Sequence, residues 1–442
     1  MNSDPIAVIG LWHLGLVSAS VLADLGHKVI GYDPDEDLVQ KLNRGQLPLY
    51  EPGLEKLIDV NREKGRLEFS HDPKQAFLNA QAVLVTYDTP VDEEDRVNLS
   101  ILNLTFKKMI PLLRQDCLVI VNSQVPAGSC EKWQAQIREE RPNTEIDVAY
   151  SPENLRLGQA IELYKKPDLI VIGTNSQRAL KKAEIFYRSF QSEKFYVSLR
   201  TAEMSKHILN AFFATSISFA NEVGNLCDVI GADGVQIAKI LRSDSRIGKK
   251  AQVRPGMGFA GATLARDVRV LQDLGIQWKV PTQLTDSVFA VNEKQTSQLI
   301  ALVLRFFNND LKGKVLTVFG LTYKPGTSTL RRSTSLEIIQ ELTGLGARLK
   351  AHDPKANLEE YQGPRSFEFY QDAYEACRDS DGILVLTQWP EYRTLDYGRI
   401  RTLMKHTLIF DPQSHLSDLQ MEQTGFNYLA VGRGQLVAEG AQ

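Results

Sequence analysis

An amine and an amide stand four residues apart near the middle of the chain, at Lys206 and Asn210. They lie in a mostly apolar segment that predicts one long helix, because Thr201 can cap its start and Gly231 can end it. A spacing of four puts both groups on one helical face, and a buried amine beside an amide can hold a developing oxyanion. The alternative is a surface lysine and an asparagine that caps a neighbouring loop. The nearly continuous apolar content predicts that this helix is covered on most sides.

A second constellation opens the chain, where a predicted strand ends at Gly10 and the next predicted strand ends at Asp33. An acid in this position grips the adenosine ribose hydroxyls in dinucleotide-binding folds and favours NAD over NADP. The candidate cofactor turn consists of Gly10, Leu11, Trp12, His13, Leu14 and Gly15. The dinucleotide-binding fingerprint is G-x-G-x-x-G, and its second glycine lets the backbone approach the pyrophosphate. Trp12 occupies the position of that second glycine. Whether the turn admits a dinucleotide is therefore left open by the sequence.

A glycine-rich segment follows the long helix and covers residues 245–267. Its four glycines and Pro255 exclude a helix or an ordinary strand, which predicts an extended loop shaped for close backbone contact. Its cationic residues are Arg246, Lys249, Lys250, Arg254 and Arg266. Glycine-rich backbone with several cations suits a diphosphate. A solvated mobile loop is the alternative.

The rest of the chain alternates between predicted strands and helices, which is typical of parallel, doubly wound sheets. Strands are predicted at 66–70, 82–89, 117–123, 146–151 and 169–173, and again at 314–320, 348–352, 382–387 and 407–411. Polar clusters at 88–90, 123–126 and 151–154 follow three of these strands and predict a lined cleft. In the second half, Lys324, Arg331 and Arg332 lie beside a predicted helix start, where a phosphate would bind well. The two α/β halves resemble one another in plan.

Composition narrows the function class. A chain of 442 residues predicts two or three domains. Its formal net charge of -3, with 24% charged residues, offers no basic field for nucleic acid or anionic lipid. The sequence predicts no membrane span and no signal peptide, and therefore a cytoplasmic small-molecule enzyme. The four cysteines lack metal or redox spacing, so they are interpreted as core residues and no metal site is predicted.

Several phrases together resemble one family, the UDP-glucose/GDP-mannose dehydrogenases, over nearly the whole chain. They include the glycine turn with Asp33, the phrase from Pro48 to Leu54, DTP at 88–90, QVPAGS at 124–129 and SPENLRLGQA from Ser151. They continue with AEMSKHILNAFFATSISFANE from Ala202, RIG at 246–248, GFAGATLARD from 258, GLTYKPGTSTLRRS from 320 and LTQWPEYRTLD from 386. Their order and spacing make the resemblance specific.

The resemblance implies two Rossmann-like domains joined by a long central helix: an NAD-binding domain at 1–200, a helical dimerisation domain at 201–300 and an NDP-sugar-binding domain at 301–442. It implies oxidation of a nucleotide sugar at C6, with a UDP-hexose as the expected substrate and a homodimer as the assembly. The implied catalytic residues are Lys206, Asn210, Asp267, Glu153 and Thr263. The implied cofactor contacts, besides the glycine turn and Asp33, are Thr89, Pro90, Arg266 and Arg331. The implied substrate contacts are Leu155, Arg246, Phe259, Gly261 and Lys324.

Departures from the family pattern concern the reacting centre. Family members use a cysteine that attacks the intermediate aldehyde, and Thr263 occupies that position here. A threonine hydroxyl needs a dedicated base to attack an aldehyde, so covalent second-stage chemistry is expected to be absent. Gln124 replaces a threonine, and FDPQS from Phe410 lacks the family's Asp-Gly pair and basic residue. The leading hypothesis is an NAD-dependent oxidoreductase without a cysteine nucleophile. The alternatives are a non-oxidising nucleotide-sugar-binding or regulatory homologue and an NAD-assisted epimerase.

Overall fold

The computed structural model describes residues 4–90, 96–153, 155–260 and 262–434. The chain forms two compact units, Met1–Ile208 and Leu209–Gln442, and the division falls inside one long helix. The three-part division at residues 200 and 300 stays a prediction.

Unit 1 is built on an eight-stranded sheet. Its strands are β1 (Ile6–Ile9), β2 (Val29–Tyr32), β3 (Leu67–Ser70), β4 (Ala82–Val85), β5 (Leu118–Val121), β6 (Asp147–Tyr150), β7 (Leu169–Gly173) and β8 (Glu193–Val197). The order is β3-β2-β1-β4-β5-β6-β7-β8. All neighbours run parallel except β6 and β7, which pair antiparallel through Tyr150 and Gly173. The predicted parallel, doubly wound sheet therefore contains one antiparallel pair.

Helices cover both faces of this sheet. They are α1 (His13–Asp24), α2 (Glu36–Asn43), α3 (Leu54–Glu63), α4 (Pro73–Phe77), α5 (Ser100–Met109), α6 (Ser129–Glu140), α7 (Ala160–Lys165) and α8 (Gln177–Phe186). Because β1 and β4 are buried on both faces, their residues are continuously apolar. Two apolar clusters, one on each face, form the core of unit 1.

The long helix α9 (Leu199–Ile230) contains 32 residues. It starts two residues before the predicted position, since the Ser198 hydroxyl, not Thr201, caps it by accepting the Thr201 N–H at 3.2 Å. Many of its apolar side chains are exposed, among them Phe212 at 72%. The expectation that α9 is covered on most sides is therefore wrong within a single chain.

Unit 2 contains a helical part followed by a six-stranded parallel sheet. Its helices are α10 (Gly234–Ser243), α11 (Ala262–Trp278), α12 (Gln283–Phe306), α13 (Thr334–Gly344), α14 (Ala373–Cys377) and α15 (Tyr397–Leu403). Its strands are β9 (Val315–Phe319), β10 (Arg348–His352), β11 (Phe367–Phe369), β12 (Gly382–Val385), β13 (Leu408–Phe410) and β14 (Asn427–Leu429). The order is β11-β10-β9-β12-β13-β14. The predicted fold class, two Rossmann-like α/β sheets and a long central helix, is confirmed.

Candidate functional site

The turn between β1 and α1 keeps the two glycines that its backbone requires. Gly10 has a φ of +93°, and a Cβ there would lie 2.9 Å from the Tyr87 ring. A Cβ on Gly15 would lie 1.9 Å from the Gly10 carbonyl oxygen and 2.7 Å from the Thr86 hydroxyl. Helix α1 therefore starts in close contact with the sheet, and its first N–H groups, which have no partner within the helix, point out of the turn.

Asp33 follows β2 and is held in one orientation by backbone. Its Oδ2 accepts the Leu11 N–H at 2.8 Å and its Oδ1 accepts the Asp35 N–H at 3.0 Å. Burial raises the pKa of Asp33, and these two N–H groups partly oppose the shift. A carboxylate has about four acceptor positions, so with these two partners among the described residues about two are left for ligand hydroxyls. The carboxylate next to the glycine turn thus fits the ribose of NAD.

Trp12 and His13 begin α1 in different ways. Trp12 is the N-cap with a φ of -91° and a ψ of -155°, and its residue surface is 48% exposed. His13 turns inward, and its Nε2 lies 2.9 Å from Oε2 of Glu51. At the position of the missing glycine, the Trp12 indole is therefore exposed, whereas the next side chain, the imidazole of His13, contacts buried Glu51.

Glu51 is a buried carboxylate in the family phrase from Pro48 to Leu54, and the sequence predicted no role for it. It accepts the N–H groups of Gly158 at 2.8 Å and Ala160 at 2.9 Å, besides its contact with His13. Burial acts to raise the pKa of Glu51, but the hydrogen bonds from these partners outweigh it and the pKa is lowered. Glu51 thus fixes the end of the segment that carries the predicted residues Glu153 and Leu155.

The polar clusters at 88–90, 123–126 and 151–154 follow the adjacent strands β4, β5 and β6, apart from Asn154, which lies outside the described residues. The Thr89 hydroxyl donates to the Gln124 carbonyl at 3.0 Å. The Asn122 amide donates to the Ser151 carbonyl at 2.5 Å. These bonds join neighbouring strand ends. Pro90 is exposed beside them and accepts the Asn98 N–H at 2.9 Å.

The start of α9 packs against the end of β5. Buried Glu203 accepts the N–H groups of Gly128 and Cys130, so it caps α6 rather than its own helix. His207 Nε2 lies 2.9 Å from the Val125 carbonyl, and its Nδ1 lies 3.4 Å from the Gln124 amide nitrogen. A carbonyl only accepts, so the proton is assigned to Nε2. These bonds fix the helical turn that carries half-buried Lys206.

Glu153 lies partly buried in the segment after β6, near two buried phenols. Burial, and after it the charge of Glu153, raise the pKa values of Tyr164 and Tyr187. Leu155 packs partly buried against the core of unit 1 rather than standing fully exposed. Its predicted contact with substrate stays a prediction.

In unit 2, the predicted catalytic residues Asn210 and Asp267 are directly bonded. The Asn210 amide donates to Asp267 Oδ2 at 2.5 Å, and Asp267 is fully buried. Thr263 lies one turn before Asp267 on α11 and is exposed. The prediction of an extended loop over residues 245–267 is therefore wrong from Ala262 onward, where α11 begins. Phe259 is buried, and the side chain of Asn292 holds its backbone at both the N–H, 2.8 Å, and the carbonyl, 3.2 Å. Gly261 lies outside the described residues.

The remaining predicted contacts are four cationic residues, Arg246, Lys324, Arg331 and Arg266. Arg246 is exposed and forms an ion pair with Asp244 at 2.7 Å. Half-buried Lys324 lies 5.6 Å from the Tyr323 ring centroid, and Arg331 is exposed. Arg266 is half-buried on α11, one residue before Asp267. Their roles stay predictions.

Unit 2 repeats the turn of unit 1. Gly320, with a φ of +97°, follows β9, and Asp353, after β10, accepts the Leu321 N–H at 2.7 Å. Its Oδ2 also accepts the Thr322 N–H and hydroxyl and the Trp389 indole N–H. Its Oδ1 accepts the N–H groups of Lys355 and Ala356, so both oxygens of this carboxylate are occupied by unit 2. Asp33, by contrast, keeps acceptor positions among the residues that the structure describes.

A glycine turn, an oriented acid after the second strand of the sheet and the strand order of unit 1 define a dinucleotide-binding α/β protein. The chain belongs to the UDP-glucose/GDP-mannose dehydrogenase family. Residues 4–191 match the family's NAD binding domain, residues 200–294 its central domain and residues 317–418 its UDP binding domain. The chain is thus in a family of NAD-dependent oxidoreductases, and the predicted cofactor, NAD, is confirmed at this level.

Known relatives cover nearly the whole chain. It is 33% identical to the UDP-glucose 6-dehydrogenase of Rhizobium meliloti, over 97% of this chain and 99% of that protein. It is 34% identical to the UDP-glucose 6-dehydrogenase of Rickettsia typhi, over the same shares. A solved UDP-glucose dehydrogenase from Pyrobaculum islandicum matches with a TM-score of 0.85 at 29% identity, over 99% of this chain and 97% of that chain. Across the described residues, the helices are too short or too polar to cross a membrane.

Proposed function

We propose that this protein oxidises the C6 alcohol of a nucleotide sugar, with a UDP-hexose as substrate and NAD as oxidant. The observation that carries the proposal is the part-buried hydrogen bond between Asn210 and Asp267, because Lys206 lies one turn before Asn210 on α9. An ammonium and an amide on adjacent turns of α9, with a carboxylate of α11 hydrogen-bonded to the amide, form a proton-handling set. The substrate class is supported by the UDP binding domain match and by relatives named UDP-glucose 6-dehydrogenase.

Each residue has a separate task in the proposed reaction. Lys206 donates to the substrate oxygen and stabilises the negative charge that develops there. The Asn210 amide donates one N–H to Asp267 and its second N–H to the substrate oxygen. Asp267 holds the water that takes up the alcohol proton. When bound, NAD accepts the hydride from the alcohol carbon. Glu153 assists in positioning water, and Arg246, Phe259, Gly261 and Lys324 contact the sugar nucleotide.

Thr263 limits how the second oxidation proceeds. Without a thiolate, the reaction stops at the aldehyde, or the hydrated aldehyde itself donates a second hydride. In both cases no covalent bond between enzyme and sugar is formed. The proposed enzyme is therefore a nucleotide-sugar dehydrogenase that has lost covalent catalysis.

The direct test is incubation of the purified protein with NAD and a panel of UDP- and GDP-hexoses, following NADH absorbance and identifying the sugar product. NADH formation with a UDP-hexose, lost in Lys206→Ala and Asp267→Asn, is the expected result. Absence of turnover with every sugar, where a cysteine-containing relative is active, rejects the proposal.

A second candidate function is a relative that binds a nucleotide sugar without oxidising it. Trp12 in the glycine turn and Thr263 at the nucleophile position favour it. Calorimetry with UDP-hexose and with NAD separates the two, because only the oxidoreductase binds both. A changed sugar product at constant NADH absorbance would instead indicate an epimerase.

We also propose that the protein is a homodimer. Exposed apolar side chains of unit 2 include Leu209, Phe212, Phe213, Phe219, Leu226, Val229 and Ile230 on α9, and Ile240, Ile276, Trp278, Val280 and Leu284 elsewhere. Phe212, Phe219 and Leu226 repeat every seven residues, which makes a continuous stripe along α9. Apolar surface of this extent marks an interaction site, and a second copy of the same helix matches a stripe of this spacing.

A further inference from the structure

The glycine turn of unit 1 departs from its fingerprint at one glycine only. Gly10 and Gly15 are retained, and the contacts that an added Cβ would make show that both are needed for the backbone itself. The middle glycine of the fingerprint serves the ligand instead, because it lets backbone approach the pyrophosphate. Trp12 fills that position.

The backbone at Trp12 does not require a glycine. Its φ of -91° and ψ of -155° are extended values that any residue adopts. The turn therefore folds with tryptophan as it would with glycine. The consequence of the replacement lies in the space that the side chain fills.

The indole lies on the exposed side of the turn. Leu11, Gly15 and Leu16 are buried and close the inner side, whereas Trp12 is 48% exposed. His13 cannot move aside to make room, because its ring is held by buried Glu51 at 2.9 Å. As the N-cap residue of α1, Trp12 directly precedes the first N–H groups of the helix, which are the donors that a diphosphate would use.

We propose that Trp12 occupies the space through which the cofactor diphosphate would reach the N-terminus of α1. NAD then binds through its adenosine, gripped by Asp33, with the diphosphate held away from the helix. Trp12 is in this sense an affinity-determining residue for the dinucleotide, and the native chain binds NAD weakly. The proposal rests on the proposed function, because it assumes that NAD uses this turn.

The test compares the native chain with Trp12→Gly and Trp12→Ala by calorimetry, using NAD, ADP-ribose and adenosine as ligands. Trp12→Gly gains charge-assisted hydrogen bonds to the diphosphate, so NAD and ADP-ribose bind roughly ten- to a hundredfold more tightly. Trp12→Ala gives an intermediate gain. Adenosine, which lacks the diphosphate, binds equally to all three. Trp278→Ala, which removes the exposed indole of unit 2, leaves every affinity unchanged.

Unchanged or weaker binding of NAD and ADP-ribose to both variants overturns the proposal and shows that the indole supports the cofactor or lies clear of it. An equal gain for adenosine also overturns it, since the effect is then not on the diphosphate. If Trp12→Gly fails to fold, Trp12→Ala decides, because alanine adopts the same backbone. Tighter NAD binding without NADH formation from any nucleotide sugar keeps this proposal and rejects the proposed function.

Discussion

Glu51 is a buried carboxylate of unit 1 that holds His13, Gly158 and Ala160 beside the cofactor turn. We expect Glu51→Gln to lower the free energy of unfolding by about 1–3 kcal/mol, because an amide cannot accept from both Gly158 and Ala160 as the carboxylate does. Chemical denaturation measures the difference. Glu55→Gln, an exposed glutamate four residues later, is the matched control and should be neutral.

The same residue gives a pH dependence with a defined sign. The pKa of Glu51 is lowered in the folded protein from its ordinary value of 4.5, so the unfolded chain binds the proton more readily. Its stabilisation is complete above pH 4.5 and is lost as the pH falls through the folded pKa. The difference between the native chain and Glu51→Gln should therefore shrink on acidification. A difference that grows below pH 4.5 would contradict the assignment.

Substitution of Thr263 tests whether the absence of a thiol at this position explains the proposed absence of a covalent step. Thr263→Cys introduces a thiol with an ordinary pKa of ~8.5, which is partly ionised near neutrality. We expect this variant to form a covalent adduct with the sugar, visible by mass spectrometry of the intact protein, and to raise the yield of NADH per sugar. Thr263→Ser is the matched control and should form no adduct. An adduct on the native chain would contradict the proposed loss of covalent catalysis.

The sequence alone predicts the roles of some individual residues but not of others. The role of Asp33 follows from its distance along the chain from the glycine turn. That of Glu51 does not, because its partners Gly158 and Ala160 lie 107 and 109 residues away and only folding brings them together. The hydrogen bond between Asn210 and Asp267, which are 57 residues apart, could not be predicted for the same reason. The family resemblance implied only that both residues belong to the reacting centre.

Among the elements, the start of α1 depends most on a single small residue. Gly15→Ala would push a methyl group to within 1.9 Å of the Gly10 carbonyl oxygen, so helix and strand must separate. We expect a loss of about 3 kcal/mol or more in the free energy of unfolding, and weaker NAD binding. Gly344→Ala is the control, since it also changes a helical glycine but meets nothing within 4 Å. It should be neutral or stabilising by up to ~1 kcal/mol. Equal effects of the two changes would show that helix propensity, not packing, is responsible.

Periodicity and glycine signals predict the elements that are long or buried on both faces, such as α6 and β4. They miss β8, whose residues are largely exposed and lack an apolar pattern. They also miss β11 and β14, which have three residues each. The antiparallel pairing of β6 with β7 rests on one residue pair and has no sequence signal. The repeated turn at Gly320 is visible in sequence plan, but saturation of Asp353 by Thr322 and Trp389 depends on tertiary contacts.

For the whole molecule, the exposed stripe on α9 makes the assembly testable. Phe212→Asp puts a charge at a site that is 72% exposed in one chain and is desolvated in the proposed dimer. We expect the native chain to sediment as a dimer and this variant as a monomer. Ile185→Asp is the matched control, because it charges an equally apolar site, 62% exposed on α8, outside the stripe. A native chain that is monomeric, or a dimer that both changes leave intact, would mean that something other than a second copy covers these side chains. The proposed dimer explains why α9 is nearly continuously apolar in sequence and yet uncovered in the single chain.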